Sequence, residues 1–294
     1  MTAPTSPAHR LAPLRRPSGG FAMLAIDQRE ALRQMLAEHQ PDPVSDTQVR
    51  EFKLLAARIL TPHASAVLID RQFALADAIE QGVVAQTCGL IGSADHFESA
   101  HGELVGNVTI DRLVEPARLR DQGAVALKLL VLYRPDSGHT ERIDMVGEFI
   151  ELCRSAGLAS IIEPVSRRPL DGSTWDWNEG VLAAAEELGR LGADLYKAEV
   201  PFHGEAPETK LRTACRSLTS TIDSEWVVLS SGVAPAAFPA AVQVACDEGA
   251  SGFLAGRAVW AASLSAPDVA DDLRTNAVDR LRRLAEVVDG AVHH

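Results

Sequence analysis

Two lysines interrupt apolar segments of the sequence, and a lysine in such a place is a candidate nucleophile. Lys128 lies within ALKLL at 126–130, and Lys197 lies within LYKAE at 195–199. Only four of the 28 Lys and Arg residues are lysines. An ammonium group that loses its hydration is tolerated only with charged partners or with a lowered pKa. Because a neutral amine adds to a carbonyl carbon and forms a Schiff base, these positions indicate covalent amine chemistry.

Acidic side chains end several apolar segments and could move protons beside such an amine. Asp27 follows the first segment, Glu163 ends the fifth, and Glu199 lies two residues beyond Lys197. Successive side chains of a strand alternate between its two faces, so Lys197 and Glu199 share one face. A self-satisfied pair of Lys with Asp or Glu accounts for either lysine alone. Two such lysines together with Asp27 and Glu163 favour a catalytic cluster.

Two motifs with small residues near the end of the chain suit an anion. Ser230, Ser231 and Gly232 follow the seventh apolar segment, and Gly256 and Arg257 follow the eighth. Small residues let backbone N–H groups approach an anion, and an arginine adds a fork of donors. Ordinary tight turns beside a surface arginine are the alternative for either motif alone. If the motifs follow adjacent strands, they form a phosphate site.

Eight short segments rich in Val, Ile, Leu and Ala predict the strands that position these residues. They are residues 21–26, 66–69, 87–91, 125–132, 159–162, 195–200, 226–229 and 252–254. Helical patterns separate most of them, at residues 44–60, 140–155, 178–191, 208–221 and 235–248. Eight such units within about 250 residues predict an α/β fold, a single (β/α)8 TIM barrel. Active sites of such barrels lie at the carboxyl ends of the strands, where the acids and the anion motifs fall.

An open, doubly wound sheet is the alternative architecture. Its dinucleotide-binding form carries a G-x-G-x-x-G motif after the first strand, whereas residues 26–29 read IDQR there. We therefore place one barrel at residues 19–290 and a flexible N-terminal arm at residues 1–18. Prolines at positions 4, 7, 13 and 17 argue against an amphipathic helix in that arm.

The composition argues against several kinds of partner. The formal net charge is −12, so extended contact with nucleic acid or anionic lipid is not expected. No apolar run reaches the roughly 18 residues of a membrane span. The four cysteines are far apart, which predicts free thiols in a reducing cytoplasm. His96 and His101 fall in an expected loop, and no histidines have the spacing of a zinc site, so we expect neither a metal nor a cofactor.

Six segments resemble those of the class I ketose-phosphate aldolases. They lie at 20–30 (GFAMLAIDQRE), 126–130 (ALKLL), 161–164 (IIEP), 194–201 (DLYKAEVP), 229–233 (LSSGV) and 252–260 (GFLAGRAVW). The resemblance implies that Lys197 forms the Schiff base, while Lys128 keeps that amine neutral and contacts substrate hydroxyls. It also implies that Asp27 and Glu163 orient the substrate and transfer protons, without a metal or a cofactor.

Within this family, residues 70–73 (DRQF) and the short connection after Glu163 resemble the sulfofructosephosphate aldolases more than the tagatose 1,6-bisphosphate aldolases. This resemblance implies retro-aldol cleavage of 6-deoxy-6-sulfofructose 1-phosphate to dihydroxyacetone phosphate and sulfolactaldehyde. It implies further that Gln28, Asp70 and Gln72 bind substrate. The expected partner is a small ketose phosphate, and the expected assembly is a homo-oligomer, a dimer or a tetramer.

Two other functions remain open at this point. Cleavage of tagatose or fructose 1,6-bisphosphate is the enzymatic alternative. A non-catalytic barrel that senses sugar phosphates is the alternative from another class. Intact Lys128 and Lys197 beside Asp27 and Glu163 argue against a sensor, because a sensor has no use for a desolvated amine.

Overall fold

Eight parallel strands close into a barrel, because the apolar segments of the chain are buried on both faces. The computed structural model describes residues 6–292. The barrel strands are β1 (Phe21–Ala25), β2 (Ala66–Ile69), β3 (Gly89–Ser93), β6 (Ala124–Tyr133), β7 (Ala159–Ser166), β8 (Leu195–Ala198), β9 (Glu225–Val228) and β10 (Gly252–Ala255). They follow one another in chain order around the barrel, and β10 pairs with β1 to close it. The predicted single (β/α)8 barrel is confirmed.

Helices pack around this barrel. They are α1 (Pro7–Leu11), α2 (Glu30–Ala37), α3 (Asp46–Leu60), α4 (Leu75–Glu80), α5 (Pro116–Asp121), α6 (His139–Ala156), α7 (Trp177–Leu188), α8 (Glu208–Thr221), α9 (Phe238–Asp247), α10 (Arg257–Trp260), α11 (Val269–Asp272) and α12 (Val278–Ala291). Short 3₁₀ turns lie at Ala12–Leu14, Thr61–His63, Pro201–Gly204 and Ala261–Ser265, and a π-helical turn lies at Leu273–Ala277. The start of α3 is fixed by a capping box between Ser45 and Gln48. Gly157 ends α6 with φ +75°, a conformation that glycine adopts without steric cost.

The strand side chains divide into two buried layers. Those that fill the inside of the barrel are Phe21, Met23, Ala25, Ala66, Leu68, Ile91, Ala126, Ala159, Ile161, Leu195, Val227 and Leu254. The alternate residues pack outward against the helices. Because Ala126 and Leu195 point inward, Lys128 and Lys197 point inward as well, two residues closer to the carboxyl ends of their strands. The predicted orientation of both lysines is therefore confirmed.

A two-stranded antiparallel hairpin follows β3 and was not predicted. It consists of β4 (Asp95–Ala100) and β5 (Glu103–Ile110), joined by a turn in which His101 and Gly102 have φ +55° and +75°. His96 thus lies in β4 and not in a loop. The third barrel strand begins two residues later than predicted, at Gly89, because residues 89–93 pair with both β2 and β6. The buried and exposed residues of β5 alternate over most of its length, a pattern typical of a half-buried strand.

The expected flexible arm is corrected by the structure over its described part. Residues 7–14 form α1 and a 3₁₀ turn, and Leu11 and Leu14 are buried with the residues that fill the barrel. Pro7 does not prevent α1, because it is the first helical residue, where no intrahelical N–H bond is lost. Arg16 reaches Asp289 at 2.6 Å. Residues 1–5 of the predicted arm lie outside the described residues.

Within residues 6–292, no helix combines the length and the apolar character that a bilayer crossing requires.

The four cysteines are free and buried, as predicted. Burial raises the pKa of the Cys88 thiol to about 12, so this side chain stays protonated and unreactive near neutral pH.

Candidate active site

The carboxyl ends of the strands open into a cavity of about 730 Å³. Seven of the predicted site residues line it: Asp27, Gln28, Gln72, Glu163, Ser231, Gly232 and Arg257. The hairpin and the loops after β1, β7 and β8 complete the wall, which includes Arg29, Phe97, Arg167, Arg168, Trp175, Trp177, Glu199 and His203. The barrel therefore brings residues from the first, second, fifth, seventh and eighth predicted strands to one cavity.

Lys197 lies directly behind the cavity wall. Its strand, β8, pairs with β7 and β9, and its side chain is 4% exposed. The Nζ of Lys197 lies 2.8 Å from Oε1 of Glu163, which itself lines the cavity. The amine is thus shielded from bulk water and has one carboxylate within reach of its protons.

Lys128 is completely buried and is surrounded by carboxylates. Its Nζ lies 2.7 Å from Asp27, 2.8 Å from Asp95 and 3.1 Å from Glu163. Burial lowers the pKa of Lys128, but these three acids more than offset that effect and hold the pKa well above its ordinary value. Lys128 is therefore a permanent cation at this site.

Asp27 is the ionised partner of that cation. Burial raises the pKa of Asp27, but the opposing charges of Lys128, then of Lys197 and Lys53, bring it well below the ordinary value. A carboxylate of such low pKa is a poor base. Asp27 is therefore better suited to accept a hydrogen bond than to take a proton.

Asp95 belongs to the same cluster and was missed by the sequence analysis. It opens β4, accepts a hydrogen bond from Arg29 Nη2 at 2.6 Å, and also accepts the Leu130 N–H at 3.0 Å. It is fully buried. Its position in the sequence could have identified Asp95, because it lies two residues after Ser93, the last residue of β3. The predicted third strand ended too early for Asp95 to be seen there.

Asp70 was predicted to bind substrate, and the structure corrects this prediction. Its side chain is completely buried, forms an ion pair with Lys53 of α3, and accepts the Phe73 N–H at 2.9 Å. The Arg29 Nε lies 4.0 Å away. Burial lowers the pKa of Lys53 despite the opposing effect of Asp70. Asp70 thus fixes the loop after β2 and anchors α3, and it lies outside the cavity lining.

The two anion motifs meet, because they follow the adjacent strands β9 and β10. Arg257 donates a hydrogen bond to Ser231 Oγ, and both residues line the cavity with Gly232. At Gly256 a Cβ would lie 2.2 Å from the Ala25 carbonyl oxygen, so only glycine fits there. Ser230 and Gly256, which were predicted to bind substrate, are buried and lie outside the cavity lining, so they support the motifs from behind.

Glu199 is a further cavity residue with an unusual environment. It follows β8 by one residue and accepts the Ser166 N–H at 2.7 Å. Burial raises the pKa of Glu199 to about 7, although that hydrogen bond opposes the shift. Two carboxyl groups in one cavity therefore have different proton affinities, since Asp27 stays ionised while Glu199 titrates near neutral pH.

Among residues 6–292, no three His, Cys, Asp or Glu side chains form a set of metal ligands. The acidic groups Asp27, Asp95 and Glu163 converge on the ammonium group of Lys128 instead. What the cluster offers chemically is a shielded amine, a carboxylate beside it, a fixed cation and a separate anion motif.

This chain is similar in sequence to proteins of one aldolase family. Residues 21–262 match the family described as DeoC/LacD family aldolase. Similar curated proteins include tagatose 1,6-diphosphate aldolase 2 of Streptococcus pyogenes serotype M3 (strain ATCC BAA-595 / MGAS315), which is 27% identical, with 92% of this chain and 91% of that protein covered. Tagatose 1,6-diphosphate aldolase of Staphylococcus haemolyticus (strain JCSC1435) is 30% identical, with 84% of this chain and 82% of that protein covered.

Solved structures show the same fold at lower sequence identity. An archaeal fructose 1,6-bisphosphate aldolase superposes with a TM-score of 0.65 at 18% identity. The superposition covers 97% of this chain and 100% of the archaeal chain. A Schiff-base-forming fructose-1,6-bisphosphate aldolase superposes with a TM-score of 0.63 at 16% identity and covers 96% and 100%.

Proposed function

The chain belongs to the DeoC/LacD family of aldolases and is a class I aldolase, a lyase, and from that premise we propose that it cleaves 6-deoxy-6-sulfofructose 1-phosphate to dihydroxyacetone phosphate and sulfolactaldehyde. The observation that carries the proposal is the 2.8 Å contact between Lys197 Nζ and Glu163 Oε1 behind the wall of a cavity that also holds an anion motif. The proposed reaction uses side chains of this chain and water.

The first step is addition of the Lys197 amine to the ketone carbon C2. Lys197 passes a proton to Glu163, and the neutral nitrogen then forms a bond to C2. Loss of the C2 oxygen as water gives the iminium. The carboxylate of Glu163 that receives this proton also contacts the permanent ammonium of Lys128.

The second step breaks the bond between C3 and C4. A carboxylate takes the proton of the C4 hydroxyl, the electron pair of the C3–C4 bond moves toward the iminium nitrogen, and the aldehyde leaves. We assign the proton transfer to Glu163 and the orientation of the hydroxyls to Asp27 and Lys128, because Asp27 is too weak a base. Protonation of C3 and hydrolysis of the iminium release dihydroxyacetone phosphate and restore Lys197.

We place the 1-phosphate at Ser231, Gly232 and Arg257. These residues lie on the same side of the cavity, and the loops after the last two strands are the usual phosphate site of this barrel. The motif follows β9 and β10, and β9 pairs with β8, which carries Lys197.

Part of the cavity lining suits a sulfonate as the second anion. Gln28 and Gln72 line the cavity and offer amide donors, while the guanidinium of Arg29 is already neutralised by Asp95. A sulfonate keeps a single negative charge, whereas a phosphate monoester carries nearly two and needs more cationic compensation. Arg167 and Arg168 also line the cavity, and Arg167 lies 3.8 Å from Glu103.

Cleavage of tagatose 1,6-bisphosphate is the second candidate. It is favoured by the relatives named tagatose 1,6-diphosphate aldolase, which align with most of this chain. The two candidates share the Schiff base. Their ketoses differ in the anionic group on C6 and, because tagatose is the C4 epimer of fructose, in the configuration at C4.

The experiment that tests the proposal is a cleavage assay on the two ketoses with the same enzyme preparation. We expect a higher kcat/KM for the sulfonated ketose, and we expect Gln28→Ala and Gln72→Ala to lower that value more than the value for the bisphosphate. A preference of the unmodified enzyme for the bisphosphate would replace the proposal with the second candidate.

A further inference from the structure

The loop after β8 contains two consecutive residues in a conformation that non-glycine residues rarely adopt. Phe202 has φ 55° and ψ 20°, and His203 has φ 52° and ψ 22°. Elsewhere in residues 6–292 the only other non-glycine residue with positive φ is His101, at the tip of the hairpin. Such conformations persist only where the surroundings impose them, and they are concentrated at functional sites.

Contacts from two helices hold this loop in place. The Phe202 N–H donates to Asn178 Oδ1 at 2.5 Å, and the ammonium of Lys210 lies 4.4 Å from the centre of the Phe202 ring. Gly204 continues the left-handed path with φ 77°. Helices α7 and α8 therefore determine where the His203 side chain points.

The His203 ring lies at the cavity wall beside the anion motif. Its centroid is 3.8 Å from that of Trp177. A Cβ added to Gly232 would lie 2.6 Å from Cδ2 and 2.7 Å from Nε2 of His203. The imidazole edge thus occupies the space that any side chain at position 232 would need. His203, Ser231, Gly232 and Arg257 all line the cavity.

The ring nitrogens of His203 have no hydrogen-bond partner among the described residues, although polar neighbours surround the site. A half-buried imidazole at a polar wall retains one N–H donor in its neutral form and two in its charged form. A donor held in place at an anion motif loses little side-chain freedom when the anion binds.

We propose that His203 is a specificity-determining residue that donates a ring N–H to an oxygen of the substrate 1-phosphate at Ser231, Gly232 and Arg257. This inference rests on the proposed function, because it needs a ketose phosphate at that motif. The left-handed backbone conformation of Phe202 and His203 places the imidazole ring of His203 next to Gly232.

The test compares His203→Phe with the unmodified enzyme. Phenylalanine keeps a ring against Trp177 and removes both nitrogens, so the contact between the rings remains and the donor is lost. We expect calorimetric binding of dihydroxyacetone phosphate to weaken about tenfold, while borohydride trapping of phosphate-free dihydroxyacetone on Lys197 stays unchanged. His203→Asn, which tolerates positive φ and keeps a donor, should recover part of the affinity. His39→Phe, at an exposed position on the C-terminal side of α2, is the matched control.

The outcomes separate the inference from the proposed function. If the unmodified enzyme traps no ketone on Lys197, the proposed function fails. If it does trap and His203→Phe binds dihydroxyacetone phosphate as tightly as before, His203 only packs and the inference is overturned. Should His203→Phe not fold, the ring nitrogen resonances of His203 in the unmodified enzyme decide. They should shift with dihydroxyacetone phosphate and not with dihydroxyacetone, and equal spectra overturn the inference.

Discussion

The carboxylate of Glu163 bridges the two barrel lysines, with Oε1 2.8 Å from Lys197 Nζ and Oε2 3.1 Å from Lys128 Nζ. The three side chains come from the neighbouring strands β6, β7 and β8. One acid therefore contacts both the permanent ammonium of Lys128 and the amine that must lose its proton in the proposed reaction. In that reaction, Glu163 is the group through which the charge of Lys128 affects the reactivity of Lys197.

Replacing Lys197 should remove the covalent intermediate. Borohydride with dihydroxyacetone phosphate should leave a stable adduct on Lys197, because reduction of the iminium is irreversible. Lys197→Ala should show no adduct by intact-mass spectrometry. Lys210→Ala, an exposed lysine, should react like the unmodified enzyme. An adduct mapped by peptide analysis to Lys53 or Lys210 would contradict the assignment.

Removing the charge of Glu163 should slow chemistry more than binding. Glu163→Gln keeps the size of the side chain but cannot accept a proton from Lys197, so we expect kcat to fall about 10²- to 10⁴-fold with a small change in KM. Steady-state kinetics measure both, and Glu38→Gln on the surface is the control. A large rise in KM at unchanged kcat would show that Glu163 serves binding only.

Much of this site could be predicted from the sequence, because its signals are local. The barrel strands are apolar on both faces, and a lysine inside such a strand is conspicuous wherever the strand lies. The strand ends of Asp27 and Glu163 and the motifs at Ser231 and Arg257 were found in the same way, and the fold brings them to one cavity.

The residues that were missed or misplaced depend on contacts that a local pattern does not contain. Asp70 has the right place at a strand end, but its charge is taken by Lys53, which arrives from α3. Asp95 acts through Lys128 and Arg29, which come from other segments. Residues 7–14 of the expected arm are fixed because Leu11 and Leu14 pack with the side chains that fill the barrel.

Asp95 should be a positioning residue whose loss is costly for stability. Asp95→Ala leaves Lys128 and Arg29 with fewer counter-charges in a fully buried cluster, and breaking such a group costs about 3–5 kcal/mol. Urea unfolding should show this loss in the free energy of unfolding. Asp42→Ala on the surface should change it by less than about 0.5 kcal/mol. Equal stability of the two variants would rule out this role.

Stability should depend on pH through Glu199. The folded protein holds this proton up to a pKa of about 7, against an ordinary value of 4.5 for an unfolded chain. Between those values the folded state binds more protons, so the free energy of unfolding should fall as the pH rises from about 5 to 7. In Glu199→Gln, the fall in the free energy of unfolding over this pH range should be smaller by about 2–4 kcal/mol. Thermal unfolding across this range measures it, and parallel curves for the two proteins would contradict the prediction.

Replacing Arg257 should weaken phosphate binding and spare the amine chemistry. Its guanidinium lines the cavity and donates to Ser231, so Arg257→Ala removes a charged donor from the anion motif. Loss of a hydrogen bond to a charged group costs about 1.5–3 kcal/mol, which is about a 10- to 150-fold rise in the Kd for dihydroxyacetone phosphate. Trapping of phosphate-free dihydroxyacetone on Lys197 should persist, because that ketone makes no contact with the motif. Isothermal titration gives the affinity, and Arg274→Ala, an exposed arginine, is the matched control. An unchanged Kd for Arg257→Ala would place the phosphate elsewhere in the cavity, with Arg167 and Arg168 as the remaining cations of the loop after β7.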